Sequence, residues 1–184
     1  MRVIAGTYKG RQLKAVPGKS TRPTTDKVKE AVFQAIGPFF DGGACLDLFA
    51  GSGSLGIESI SRGMEKAIFV DKHPKAIHTI HENLKALNLE QNAEVFRADA
   101  NRAITAAAKR SLTFDLVLLD PPYGKVKYAD FLNELVKLQL LNENAIIYCE
   151  HDMREVLPES DDDLIKLKNV NYGGTIGVTL YQKI

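Results

Sequence analysis

Short apolar runs alternate with longer amphipathic segments along most of this chain. Five apolar runs predict strands, near residues 44–49, 66–71, 93–98, 114–119 and 144–150. The segments between them have apolar residues at helical spacing, and they predict helices near 54–62, 74–88, 100–109 and 128–138. Strands that alternate with helices in this way form parallel sheets with right-handed crossovers.

Both ends of the chain depart from this alternation. Near the C-terminus, apolar runs at 164–171 and 175–183 flank Gly173-Gly174 and predict an antiparallel hairpin. Near the N-terminus, Thr24 or Thr25 is a suitable cap for a helix that precedes the first strand. We therefore predict an α/β fold whose seven-stranded sheet is mostly parallel, with the last strand antiparallel and helices on both faces.

The composition of the chain says more about its cellular compartment than about its fold. The 184 residues fit one domain, 1–184, and no stretch is long and apolar enough to span a membrane. The N-terminus lacks the apolar core of a signal peptide. Cys45 and Cys149 fall in predicted strands, which indicates core residues of a reducing compartment, so we predict a cytoplasmic protein. No residues have the spacing of metal ligands, and we predict no metal site.

Positive charge is concentrated at the N-terminal end. Residues 1–40 contain eight basic and two acidic residues, a net charge of +6 in a chain whose total is +1. Basic residues alternate with apolar ones, and Tyr8-Lys9-Gly10-Arg11 predicts the tip of a small hairpin. We therefore predict a folded basic arm, residues 1–22, that contacts a polyanion, attached to a core at 23–184.

A glycine-rich turn follows the first predicted strand. In Cys45–Gly56, the strand leads into Gly51 and Gly53, and a helix begins directly afterwards. These glycines and Gly56 satisfy the G-x-G-x-x-G pattern of dinucleotide-binding folds, and Asp71 ends the next strand, where an acid binds ribose hydroxyls. By spacing alone, a nicotinamide-dependent dehydrogenase is therefore an alternative.

The position of Asp47 favours a different ligand. This residue precedes the glycines, where a negative charge gives a pyrophosphate no advantage but attracts an ammonium group. The methionine part of S-adenosylmethionine (SAM) carries such a group. Asp99 follows the third strand, where it can bond the adenine amino group or cap the helix that starts at Ala100.

The most informative motif is Asp120-Pro121-Pro122-Tyr123, directly after the apolar run at 114–119. It suits methylation of an exocyclic amine on a flat ring, whose nitrogen lone pair is delocalised into that ring. The Asp120 carboxylate and the Pro121 carbonyl can accept both N–H groups and free the lone pair, because the two prolines keep the turn rigid. Tyr123 offers a ring on which a base can stack. The motif has no role in hydride transfer and therefore favours a methyltransferase.

In open α/β sheets the ligand lies beyond the carboxyl ends of the strands, so the loops after strands one to four should meet in one crevice. We expect SAM there as cofactor, with its amino group at the glycine loop, ribose on Asp71 and adenine near Asp99. The candidate cofactor-binding residues are Asp47, Phe49, Ala50, Gly51, Ser52, Gly53, Asp71, Lys72, Asp99 and Ala100. The candidate catalytic residues are Asp120, Pro121, Pro122 and Tyr123.

The chain resembles the bacterial family of 16S ribosomal RNA guanine-N2 methyltransferases, which have a Rossmann-like class I methyltransferase fold. The resemblance covers almost the whole chain and rests on the segments Arg22–Phe33, Leu46–Gly56, Ser61–Gly63, Asn83-Leu84 and Asp120–Tyr123. The first segment is specific to the family, whereas the glycine loop and the last motif are shared with many other methyltransferases. The family often has Glu where this chain has Asp71.

The resemblance implies transfer of a methyl group to the exocyclic N2 amine of a guanine in 16S rRNA, within a small subunit or an assembly intermediate. The base must leave its stack to reach the pocket. The candidate RNA-binding residues are Lys9, Arg11, Arg22 and Thr24. We expect a monomer, because a large ribonucleoprotein substrate supplies extensive contact area by itself.

Other functions are compatible with parts of the pattern. An adenine-N6 nucleic-acid methyltransferase uses the same tetrapeptide, but this short chain has no evident target-recognition domain. A protein-glutamine methyltransferase leaves the basic arm unexplained. A non-catalytic RNA-binding assembly factor, with a vestigial cofactor pocket, is the alternative from a different class.

Overall fold

The computed structural model describes residues 1–18 and 25–184. Its helices are α1 (Asp26–Ile36), α2 (Ser54–Ser61), α3 (Pro74–Ala86), α4 (Ala100–Lys109) and α5 (Tyr128–Lys137), with a short 3₁₀ turn at Glu90–Asn92. Its strands are β1 (Ala44–Asp47), β2 (Lys66–Asp71), β3 (Ala93–Arg97), β4 (Phe114–Leu119), β5 (Leu141–Asp152), β6 (Leu164–Tyr172) and β7 (Ile176–Lys183). Each predicted helix and strand of the core is present.

The strands form one sheet in the order β3-β2-β1-β4-β5-β7-β6. Strands β1 to β5 pair in parallel, and β7 runs antiparallel to both β5 and β6. The order reverses direction at β1, whose neighbours are β2 and β4. The predicted seven-stranded, mostly parallel sheet is confirmed, and ligands of such sheets bind at the carboxyl ends around this reversal point.

The alternation of side chains along each strand divides the core into two layers. On β1, Cys45 belongs to the cluster under α1, α2 and α3, whereas Leu46 belongs to the cluster under α4 and α5. On β4, Leu116 and Leu118 face the first cluster, and Val117 faces the second. Because both faces are covered by helices, the parallel strands are apolar on both sides.

Strand β5 begins earlier than its sequence indicates. It starts at Leu141, which pairs with Phe114 of β4, and the register shifts before Leu116 pairs with Ile146. Asn144 has φ 65° within this irregular stretch. The polar residues at the start of the strand obscured it in the sequence, because a bulge places them outside the regular alternation.

Helix α1 begins with a side-chain cap, as predicted. The Thr25 hydroxyl accepts a hydrogen bond from the Val28 amide at 3.3 Å, and Gly37 ends the helix with φ 124°. Thr24, the other predicted cap, lies outside the described residues. The helix buries Val32 and Phe33 against the first core layer.

The N-terminal arm forms the predicted hairpin in a short form, with its turn at residues 7–10. Within the described residues of the arm, the pairing consists of an antiparallel bridge between Arg2 and Gln12 and of backbone hydrogen bonds from Val3 to Arg11, from Gly10 to Val3 and from Leu13 to Met1. The backbone turns sharply at Gly6, where an added Cβ would lie 1.8 Å from the Ser61 carbonyl oxygen. The arm forms few strand bonds because its backbone bonds to helix α2 instead.

Two buried side chains of α2, Glu58 and Ser61, form hydrogen bonds with the backbone of the arm. Both Glu58 carboxylate oxygens accept the Ile4 amide at 3.0 Å, and the Ser61 hydroxyl donates to the Ala5 carbonyl at 2.6 Å. Val3 is fully buried in the first core layer. The arm is therefore packed into the body instead of projecting from it.

Candidate active site

The loops after β1 to β4 surround one cavity of about 1140 Å³. Three further sets of residues complete its wall: Met1, Ala15 and Val16 from the arm, Phe131 from α5, and Glu150 and Ile176 from the last strands. Of the residues predicted from the sequence, those that line it are Phe49, Ala50, Gly51, Ser52, Asp71, Lys72, Asp99, Ala100, Asp120, Pro121, Pro122 and Tyr123. Cavities of roughly 300–1,000 Å³ hold small ligands, so this one has room for a cofactor and an entering base.

The glycine loop is held by Asp71. Gly51 and Gly53 have φ of 57° and 84°, left-handed conformations that favour glycine. The Gly51 amide donates to Asp71 Oδ2 at 3.0 Å, and the His73 amide donates to Oδ1 at 2.9 Å. Asp71 thus fixes the loop and also borders the cavity.

Helix α2 approaches the sheet closely at the third glycine of the motif. A Cβ on Gly56 would lie 2.4 Å from Cε1 of Phe69 on β2. This packing brings the N-terminus of α2 to the cavity, where Ser54 and Leu55 lie in the wall. A helix N-terminus carries a partial positive charge, which suits a carboxylate or phosphate.

Asp47 lies beneath the glycine loop and outside the residues that line the cavity. It is 1% exposed, and its Oδ2 accepts the Gly56 amide at 3.1 Å. Burial, and secondarily the charge of Asp71, raise the pKa of Asp47 to about 7, although the Gly56 bond opposes this rise. Gly53 also does not line the cavity. Contact of either residue with a ligand stays a prediction.

Asp99 occupies one of the two roles that its position allowed. It caps α4, because its Oδ1 accepts the amides of Asn101 at 2.9 Å and Arg102 at 3.2 Å. The side chain is exposed at the cavity wall, beside the buried Ala100. A contact with adenine stays a prediction that this position permits.

The tetrapeptide after β4 lines the cavity. Asp120 is half-buried, Pro121 is buried, and Tyr123 is 45% exposed at the rim. Phe49, at the end of β1, packs edge-on against Phe131 at 5.8 Å between ring centroids. Because β4 pairs with β1, the acidic group and the aromatic ring of the motif line the same cavity as the glycine loop.

Glu150 is a site residue that sequence reasoning missed. It is 5% exposed, lines the same cavity and is hydrogen-bonded to Asp120. Burial, then the charge of Glu150 and the bond to it, raise the pKa of Asp120 well above its ordinary value. The register pairs Leu119 with Cys149, so Asp120 and Glu150 follow as neighbours. An acid at the end of the strand that pairs with β4 was the available signal.

The predicted RNA-binding residues are only partly described. Lys9 and Arg11 are exposed on the arm, and the Arg11 guanidinium donates to the Ala86 carbonyl at 2.9 Å. Arg22 and Thr24 lie outside the described residues. Asn83, which belongs to one of the segments that carry the family resemblance, joins the arm to the glycine loop: its amide group donates to the carbonyls of Lys14 and Ser52 at 3.0 and 2.9 Å.

Two negative findings hold for the part of the chain that the structure describes. No group of histidine, cysteine or acidic residues there has the arrangement of a metal site. No helix in the same residues has the length and hydropathy that crossing a bilayer requires. Cys45 and Cys149 are buried free thiols.

The sheet order, the glycine loop with its strand-end acids, and the proline-rich turn after β4 together define a class I, SAM-dependent methyltransferase. The sequence profile described as "Conserved hypothetical protein 95" matches residues 1–182. The chain belongs to this family.

Relatives in the family have names that agree with this class. The chain is 55% identical over 183 residues to "Putative rRNA methyltransferase YlbH" of Bacillus subtilis, covering 100% of this chain and 99% of the relative. It is 33% identical to "Ribosomal RNA small subunit methyltransferase D" of Haemophilus influenzae, covering 99% and 93%. The solved structure "Putative methyltransferase yhhF from Escherichia coli" superimposes with a TM-score of 0.82 at 31% identity, covering 100% of this chain and 97% of that chain.

Proposed function

We propose that this methyltransferase modifies the exocyclic N2 amine of a guanine in 16S rRNA of the small ribosomal subunit. The observation that carries the proposal is that Asp120-Pro121-Pro122-Tyr123 and the glycine loop line one cavity. This arrangement presents hydrogen-bond acceptors and an aromatic ring to a planar amine. The relative named as a small-subunit rRNA methyltransferase supports the choice of target.

SAM fits the cavity because the cavity wall has groups that complement each part of the SAM molecule. Gly51, Ser52 and the N-terminus of α2 suit the amino-acid end, Asp71 suits the ribose hydroxyls, and Asp99 suits the adenine amino group. Asp47 acts from behind the loop, where its negative charge favours an ammonium group. When bound, SAM supplies an electrophilic methyl group.

The residues of the tetrapeptide hold and activate the amine. Asp120 and the Pro121 carbonyl accept its two N–H groups, which draws the nitrogen lone pair out of the ring. Tyr123 stacks on the base, a contact that contributes about 1–3 kcal/mol in comparable proteins. Much of the rate enhancement then comes from orientation of the amine toward the methyl group.

The basic arm contacts the RNA backbone. Lys9 and Arg11 are exposed, and Arg22 and Thr24 follow in the same segment of the sequence. Binding is therefore salt-sensitive, since neutralised phosphates release counterions. The enzyme acts as a cytoplasmic monomer on a subunit or an assembly intermediate, whose target base is unstacked before it enters the pocket.

A methyl-transfer assay tests this proposal. Small subunits from cells that lack the enzyme are incubated with the protein and with SAM that carries a labelled methyl group. Digestion to nucleosides then identifies the product. Labelled N2-methylguanosine from 16S rRNA supports the proposal. Labelled N6-methyladenosine assigns the enzyme to the adenine class, and absence of label despite measurable SAM binding indicates a non-catalytic assembly factor; either result overturns it.

A further inference from the structure

Asp120 has an acidic partner that the proposed function does not use. The parallel register pairs Leu119 of β4 with Cys149 of β5, so the next residues, Asp120 and Glu150, emerge side by side at the same edge of the sheet. Their carboxyl groups are hydrogen-bonded to each other, and both line the cavity. Two carboxyl groups that bond to each other must hold a proton between them, because neither carboxylate alone has a donor.

The surroundings of this pair fix the position of Glu150. The Tyr148 hydroxyl donates to Glu150 Oε2 at 2.9 Å, and the Tyr128 hydroxyl from α5 donates to the Glu150 backbone carbonyl. Burial raises the pKa of both tyrosines, so each hydroxyl keeps its proton. Tyr128 therefore fixes the backbone at Glu150, and Tyr148 holds the side-chain carboxyl group.

The charges that act on Asp120 are acidic: its partner Glu150 and, from β1, Asp47. Lys125 and Lys127 of the following loop line the same cavity in exposed positions. Negative neighbours and burial both favour retention of a proton. Two ionised carboxylates this close disfavour each other strongly, so their protons leave in two separate steps that belong to the pair.

We propose that Glu150 is a positioning residue that shares one proton with Asp120 and lets the pair take up the proton released by the methylated amine. The inference rests on the proposed function, since it requires an amine at Asp120. In the active form the pair carries one proton and a charge of −1. The shared proton holds the Asp120 carboxyl in place and leaves its other oxygen free to accept an N–H group of the substrate.

Protons and charges balance in the methyl transfer when the Asp120–Glu150 pair starts with one proton and a charge of −1. The N2 lone pair forms the bond to the methyl carbon, while the electron pair of the carbon–sulfur bond stays on sulfur. The nitrogen then carries a positive charge and releases one proton to the free oxygen of Asp120, and the shared proton moves to Glu150. The pair now holds two protons and no charge, and it returns one proton to water before the next turnover.

Two substitutions separate acid–base chemistry from shape. Glu150→Gln keeps the size and a hydrogen-bond donor but cannot take a proton, whereas Glu150→Asp keeps the acid but shortens the side chain. We expect the Gln variant to lower kcat by about 10- to 100-fold, at the lower end of the range for positioned proton-transfer groups. It should also lose the alkaline limb of the pH–rate profile, which arises when the pair gives up its shared proton. The Asp variant should retain that limb.

A readout without SAM tests the shared proton directly. In protein labelled with carbon-13 at carboxyl groups, the Asp120 signal should titrate in two steps in the wild type and in one step after Glu150→Gln. The matched control is Glu143→Gln, the same change at an exposed position on the same strand, which should leave kcat and both titrations unchanged. Calorimetric SAM affinity and the thermal midpoint confirm that each variant is folded.

The outcomes distinguish this inference from the proposed function. A single Asp120 titration step in the wild type, or a Gln variant with wild-type kcat and pH profile, overturns the shared proton while leaving the methyltransferase assignment intact. A variant that loses thermal stability and kcat with no change in the pH profile assigns Glu150 a purely structural role, which also overturns the inference. Failure of the wild type to methylate any RNA overturns the proposed function instead.

Discussion

Replacement of Asp47 by Asn should stabilise the protein at alkaline pH, because the folded protein removes the Asp47 carboxylate from water and so disfavours its charged form. The side chain is 1% exposed, and its pKa is raised from 3.8 to about 7. Between these two values the folded protein keeps a proton that the unfolded chain has released. By linkage, the free energy of unfolding therefore falls as the pH rises through this window. A difference of about 3 pH units corresponds to roughly 4 kcal/mol.

The Asn variant lacks this titration but retains an oxygen that accepts the Gly56 amide. We expect the two proteins to have similar stability at pH 4, where the folded wild type is protonated at Asp47. At pH 8 the Asn variant should be more stable by about 4 kcal/mol. The proposed ammonium site adds a second expectation, namely that the Asn variant binds SAM more weakly. Asp47 would then be a residue whose charge costs stability and serves binding.

Urea unfolding at half-unit steps from pH 4 to pH 8, followed by circular dichroism, measures this difference. Equal slopes against urea concentration in both proteins show that the comparison is valid. Asp120 is present in both proteins, and its contribution differs only by the loss of the Asp47 charge, which helps to raise the pKa of Asp120. A stability difference that stays constant within about 1 kcal/mol across this range would contradict a raised pKa at Asp47, since it implies an ordinary, well-solvated carboxylate.

Three further expectations follow from the contacts. Glu58→Ala should destabilise the protein by about 3–5 kcal/mol, because the buried Arg62 loses its buried partner; chemical denaturation measures the loss. Gly56→Ala should cost about 1–3 kcal/mol in thermal unfolding, because the added methyl would lie 2.4 Å from the Phe69 ring. Lys9→Glu should weaken RNA binding and reduce the slope of log affinity against log salt by about 1 or more, as measured by filter binding.

Each expectation has a contrasting variant. The double change Glu58→Leu with Arg62→Met should recover part of the lost stability, because both charges leave the interior together. Gly10→Ala adds a methyl with nothing within 4 Å, so it reports backbone strain without a clash. Lys109→Glu is the control for the arm, since Lys109 is exposed on α4, which covers the other face of the sheet from the arm. Equal loss of RNA affinity from Lys9→Glu and Lys109→Glu would contradict docking through the arm.

The core elements were predictable because their signals are local. Apolar alternation located the parallel strands, a threonine capped α1, and the Gly51–Gly56 spacing placed α2 against β2. Because strands and helices alternate in this order, four loops meet at one edge of the sheet. The candidate site could be outlined because its residues stand directly after the strands.

The remaining features depend on contacts between distant parts of the chain. The buried position of Val3 and the bonds of the arm to Glu58 and Ser61 arise from packing against α2, which alternation cannot indicate. Glu150 was missed because it stands at the end of an apolar strand with no motif around it. Its role became visible only when the β4–β5 register placed it beside Asp120.

We propose that Asp120 acts on the amine in a cavity whose binding of SAM does not depend on the Asp120 carboxyl group. The most direct measurement compares the wild type with Asp120→Ala in two assays, calorimetric SAM binding and labelled-methyl transfer to small subunits. We expect the Ala variant to bind SAM within about threefold of the wild-type affinity, a difference below about 0.7 kcal/mol, and to form no detectable N2-methylguanosine. Methyl transfer at the wild-type rate by the Ala variant, or absence of SAM binding by the wild type, would contradict it.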